Sequence, residues 1–189
     1  MSVSDILGGL GKIKSDYIDT SIIIIPITNV ENLVANLNVL NGELEVVASR
    51  QQFSEFYSLV PSSNAVPIVA GDTVEFVTDG LFYSDRIIRS GVTVDDFILK
   101  DVGFYKVSFG ATLSGAGQLG VLLASALVPY SVVGVAGAGR LFGSCIVSVT
   151  VANSILSIVN PVGGTTFSLT PSAGGTGAVS CNLLIEKVF

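Results

Sequence analysis

Apolar positions along this chain recur in two different rhythms. Val30, Leu33, Leu37, Leu40, Leu44 and Val47 are separated by three and four residues in alternation. That is an a/d heptad seam, with Val30, Leu37 and Leu44 at a and Leu33, Leu40 and Val47 at d. Thr28 and Glu31 form a capping-box pattern, and Asn29 is a second candidate N-cap. The spacing therefore predicts a helical stem over 29–52. Its apolar stripe is narrow, which suits a seam between chains better than the broad face of a helix packed on its own sheet, the alternative reading. Gly42 costs such a helix about 1 kcal/mol. Fewer than three heptads do not hold chains together unaided, so another part of the molecule must clamp them.

Ahead of the stem, residues 21–28 read "SIIIIPIT". Ile22, Ile23, Ile24, Ile25 and Ile27 are β-branched, and the run is far shorter than the roughly 20 residues that cross a bilayer. It predicts a strand that Pro26 stops or confines to an edge. Two placements are open: docked on its own domain, or added to the sheet edge of a partner. Residues 1–28 are assigned to anchoring, with a filament, surface-layer or capsid scaffold as the partner.

From Phe53 the period becomes two. "FYKVSFGATL" puts Tyr105, Val107, Phe109, Ala111 and Leu113 on one face, with Lys106, Ser108, Gly110 and Thr112 on the other. "CIVSVTV" sets Cys145, Val147, Val149 and Val151 opposite Ile146, Ser148 and Thr150, and "TFSLT" and "VSCNLLIE" alternate likewise. Glycine-rich breaks such as "SGAGQ", "NPVGG" and "SAGGTG" separate them. Short strands at regular spacing predict an all-β sandwich or barrel over 53–189.

Residues 107–139 carry no charged side chain. A membrane helix, a cross-β segment and strands buried in an assembly are the three ways to hold such a stretch. Pro129 and the strand alternation on both sides argue against a helix. The repeated glycines and turns argue for a closed fold over a cross-β stack. Burial within an assembly is the expectation.

Composition sharpens this. Hydrophobic residues make up 49% of the 189 and charged residues 13%, about half the charged fraction usual in globular domains. Residues 1–102 hold fourteen acids and six bases, a net charge of −8. Residues 103–189 hold Lys106, Arg140, Glu186 and Lys187, a net of +2. With no basic stripe, nucleic-acid binding is not expected. The first residues lack a basic segment leading into a long apolar run, so assembly from a cytoplasm is expected.

The order of several segments is familiar. "FYSLVPSSNAVPIVAGDTVEFVTDG", "GFYKVSFGATLSGAGQLGVLL", "VPYSVVG", "CIVSVTVANSILSIVNP" and "LTPSAGGTGAVSCNLLIE" together resemble the C-terminal head of the collagen-like glycoproteins of the bacterial spore exosporium. That head is similar to the tumour-necrosis-factor and complement-globular-head family. The resemblance covers about residues 56–187 and implies a ten-strand jelly roll that forms a homotrimer. In the family a collagen stalk precedes the head; here a short a/d helix stands in that place. The resemblance implies a structural protein of a spore surface layer or appendage, and similar heads end phage and viral fibres, so a virion is the alternative location.

Catalytic chemistry has little to work with. His is absent, so acid–base work at neutral pH would fall to a tuned carboxylate, Lys or Cys. Asp95, Asp96 and Asp101, and Asp72, Glu75 and Asp79, read as acidic loops without recognisable ligand spacing. Cys145 and Cys181 read as buried thiols. Arg140 reads as a surface cation, or as one arm of a pair between subunits. No enzymatic activity, cofactor or metal is expected.

Overall fold

The computed structural model describes residues 52–59, 66–83, 85–169 and 178–188, all within the unit Ala48–Phe189. Eleven strands are present there: β1 Gln52–Leu59, β2 Thr78–Phe82, β3 Ile87–Arg89, β4 Asp96–Leu99, β5 Gly103–Leu113, β6 Gly117–Leu123, β7 Ala126–Leu127, β8 Val133–Val135, β9 Gly139–Val149, β10 Ser154–Val159 and β11 Val179–Lys187. A 3-10 turn at Pro129–Ser131 separates β7 from β8.

The strands form two sheets, in the orders β2-β1-β11-β5-β9 and β3-β4-β10-β6-β7, with β8 also paired to β6. Every ladder is antiparallel. β1 pairs with β11, β4 with β10, β5 with β9, and β6 with β7 and β8. Outermost strands in sequence pair with each other, then the next, inward to the middle. That is a long hairpin wound into two layers, the jelly roll. Ten strands were expected, and the described residues hold eleven, of which β7 and β8 are separated by the 3-10 turn that begins at Pro129.

The core lies between the sheets. β5 contributes Tyr105, Val107, Phe109, Ala111 and Leu113, each at most 1% exposed. Leu141, Val147 and Val149 of β9 and Leu183 and Ile185 of β11 join them, facing Phe97, Leu99, Leu156 and Ile158 of the second sheet. Alternation explains this, since only one face of a strand meets the facing layer. Gly143 lies opposite Phe109, and a Cβ there would overlap the Phe109 ring.

Two sequence expectations need correction. Val151 was placed on the inner face with Val149, but it is exposed, because β9 ends at Val149 and the chain turns away. Cys145 is half-buried, whereas Cys181 is buried. Both point inward, but β9 is an edge strand with the facing layer on one side, while β11 lies at the centre of its sheet.

The charge-free stretch 107–139 forms the second half of β5, then β6, β7, the 3-10 turn and β8. Ser131 holds the turn closed: its Oγ accepts from the Val121 N–H at 2.7 Å and donates to the Val128 carbonyl at 2.7 Å. Among the described residues no helix is long and apolar enough to cross a membrane.

Candidate functional site

The outer face of the five-stranded sheet is the surface that the fold leaves unexplained. Its rows follow from register. Ile146 lies beside Lys106, Lys106 beside Glu186, and Glu186 beside Phe53; Phe142 lies beside Gly110, Gly110 beside Asn182, and Asn182 beside Tyr57. Phe104, Phe142 and Ile146 are exposed there. The face carries the ion pair Lys106–Glu186, at 2.8 Å, and Arg140.

β1 makes the face more apolar by inverting the usual choice. It buries Gln52, Ser54, Phe56 and Ser58 and turns Phe53, Glu55, Tyr57 and Leu59 outward. The buried serines are stitches. Ser54 Oγ donates to the Ile87 carbonyl at 2.8 Å, across to the second sheet. Ser58 Oγ donates to the Glu75 carbonyl at 2.8 Å and accepts from the Val77 N–H at 3.1 Å. Buried hydroxyls bonded in this way cost little, so the strand stays in place without burying all its apolar side chains.

At the open end of the sandwich the closing group is Arg89. It shares the inward row with Phe97, and its guanidinium lies 5.2 Å from the Phe56 ring and 5.7 Å from the Phe97 ring. Nε and Nη2 donate to Asp79 Oδ1 at 2.9 and 2.6 Å. Nη1 donates to the carbonyls of Val94, at 2.8 Å, and Phe76. A guanidinium is suited to this, because its planar fork can satisfy several acceptors while its face stacks on rings.

Three other carboxylates singled out in the sequence are bonded within the fold. Asp95 accepts from Thr73. Asp96 accepts from Ser157 at 2.5 Å and Thr93 at 3.0 Å. Asp101 accepts from Lys187 at 3.4 Å, and its backbone carbonyl takes the Tyr105 hydroxyl at 2.8 Å. Among the described residues no group of three or more His, Cys, Asp or Glu is placed to hold a metal ion. Arg140 is tied within its own chain, to Asn182 at 2.5 Å and Thr112 at 3.4 Å. Burial pushes the Cys181 thiol up to about 11 and raises Cys145, opposite to what an activated thiolate requires.

The stem residues Val30, Leu33, Leu37, Leu40, Leu44 and Val47 and the anchoring residues Ile22, Ile23, Ile24, Ile25 and Ile27 lie outside the described residues. Sequence reasoning missed Phe53, Tyr57, Phe142 and Ile146 as a shared face. Register joins them across four strands, and the one available signal was the pair of aromatics flanking polar residues in "FSEFY".

No family model matches the sequence, and no curated protein is similar to it. Solved structures are similar in chain path. Murine APRIL at pH 8.0 is 10% identical, with a TM-score of 0.49 over 72% of this chain and 98% of that one. The globular domain of zebrafish complement 1qA is 12% identical, with a TM-score of 0.48 over 74% and 98%. The PRD1 vertex protein P5 is 11% identical, with a TM-score of 0.44 over 74% and 98%. At such identities the likeness is one of fold, and the jelly-roll assignment rests on the strand pairing itself.

Proposed function

We propose that this protein is a non-enzymatic structural head: a homotrimer of jelly rolls on a spore surface layer or appendage, anchored through residues 1–28 and joined by the 29–52 stem. The carrying observation is the outer face of the five-stranded sheet. It gathers Phe53, Tyr57, Phe104, Phe142 and Ile146 across four strands. An apolar face of this kind is the mark of a subunit contact. A second copy is the occupant that fits, because most of the polar groups on the face are paired within the subunit: Lys106 with Glu186, Ser108 with Ser144, and Arg140 with Asn182. The motif resemblance to exosporium heads supports the spore setting, and a virion fibre head is the alternative.

Sedimentation equilibrium of the full chain tests the assembly. The expected species has three times the 19.5 kDa chain mass, and a stable monomer at micromolar concentration overturns the reading. Phe142→Asp, at an exposed position, is expected to dissociate it while leaving the strand spectrum unchanged. Gold labelling of spores and of phage lysates separates the two settings. Removing residues 1–28 is expected to leave a folded trimer that no longer joins its particle.

A further inference from the structure

We propose a small-molecule site at one lateral edge of the sandwich: a cleft between β1, β2 and β3 that takes one uncharged aromatic ring. β2 and β3 are the end strands of their sheets, and the cleft between them is half open, with a volume of about 250 Å³. It follows from the inward choices of β1. One inward row of the five-stranded sheet runs Val107, Ile185, Ser54. Two branched apolar side chains are followed by a serine, too small to fill the ~10 Å between packed layers. The volume that Ser54 leaves is the cleft, and Phe56, Phe82, Ile87 and Ile88 complete its wall.

The wall has little to offer a charge. Ser54 Oγ already donates to the Ile87 carbonyl at 2.8 Å. The Arg89 guanidinium is committed to Asp79 and to the carbonyls of Phe76 and Val94. Glu55 turns to the outer face of its sheet, and Asp85, its side chain 87% exposed, stays in water at the mouth. An apolar cavity whose polar neighbours are already bonded holds water poorly, so its guest is apolar. A carboxylate on that guest would meet Asp85.

Size and shape narrow the class further. Sites for drug-sized molecules usually measure about 300–1,000 Å³, so this cleft has room for a single ring. Phe56 forms part of the floor, 3% exposed, and Phe82 stands at the mouth, 70% exposed. Their rings favour an aromatic guest over an alkyl chain of equal area. A peptide side chain would bring its own amides to the mouth, where the wall's hydrogen-bonding groups are already used, and burying them unmet is costly. The guest is therefore a free molecule. The cleft is formed within one subunit, so binding is expected whatever the state of assembly.

The test uses the full chain and fluorobenzene, followed by fluorine NMR. Saturable binding at one site per chain is expected, with a dissociation constant on the order of 1 mM for so few atoms. The para-fluorobenzoate anion should bind about tenfold more weakly. The para-fluorobenzylammonium cation and a tripeptide carrying para-fluorophenylalanine should bind no more tightly than fluorobenzene. Phe82→Ala removes one ring contact and should weaken fluorobenzene several-fold. Should that variant fail to fold, Ile88→Asp, at a half-buried position, is expected to abolish binding by setting a charge in the wall. The proposal is overturned by the absence of saturable binding, by equal binding of the anion, or by tighter binding of the cation or the tripeptide. Undiminished binding to Phe82→Ala overturns it as well.

Discussion

β1 and β5 lie in one sheet with only β11 between them, yet they treat their side chains in opposite ways. β5 sends Tyr105, Val107, Phe109, Ala111 and Leu113 inward and leaves Lys106, Ser108, Gly110 and Thr112 outside. β1 sends Gln52, Ser54 and Ser58 inward beside Phe56 and leaves Phe53 and Tyr57 outside. The centre of the sheet is placed by apolar area removed from water. Its margin is placed by hydrogen bonds to the facing layer, which leaves Phe53 and Tyr57 on the outer face.

Emptying the centre should do the most harm. Phe109→Ala removes a buried ring that packs on Gly143, and a loss of about 3–5 kcal/mol is expected, read from chemical denaturation. A value under about 1 kcal/mol would mean that β5 is not the stronger partner.

Alkali tests the same inner face without mutation. Burial, with the Asp101 charge second, pushes the Tyr105 hydroxyl from 10.0 up to about 12, and burial pushes the Cys181 thiol from 9.0 to about 11. Both are held protonated in the fold while the unfolded chain would release its protons earlier. Their stabilising contribution is therefore complete below about pH 9 and is lost as pH rises through 9–12, on the order of 2–3 kcal/mol per group. Tyr105→Phe should remove the part of that loss above pH 10, measured by melting temperature against pH.

Ser58→Ala probes the stitched margin. It strands the Val77 N–H and leaves the Glu75 carbonyl with the weaker Cys181 thiol donor, for an expected loss of about 1–3 kcal/mol. A neutral outcome would show that water replaces the hydroxyl and that the margin is held by area after all. The smallest effect is expected for Tyr57→Ser. Below the concentration at which subunits separate, unfolding should move by under about 0.5 kcal/mol, while association weakens. A large loss in the separated subunit would place Tyr57 with the core.

The same contrast explains how far the sequence could be read. In β5, β9 and β11 nearly every second residue is apolar, and the inward face followed directly from that, Gly143 opposite Phe109 being the gap. The strand alternation on both sides of the charge-free run likewise marked β structure, with Pro129 at the turn between β7 and β8. β1 was opaque, because "FSEFYSL" has aromatics on both faces and the choice between them is made by carbonyls of Ile87 and Glu75, remote in sequence. The Arg89 cluster was opaque for the same reason. Asp79 reads as one more loop acid until Arg89, folded beneath it from the other sheet, becomes its partner.

The pairing of β1 with β11 has a further consequence in time. Gln52 meets Lys187, and β11 stands at the middle of its sheet, with β1 on one side and β5 on the other. During synthesis the central plank therefore arrives last, after both of its neighbours. Until then β1 and β5 each expose an unpaired inner edge, and contacts this distant in sequence are slow to close. The head cannot mature domain-piece by domain-piece on the ribosome. It must wait, open, for Val179–Lys187, so a chain cut short before Val179 loses the keystone of that sheet rather than its fringe.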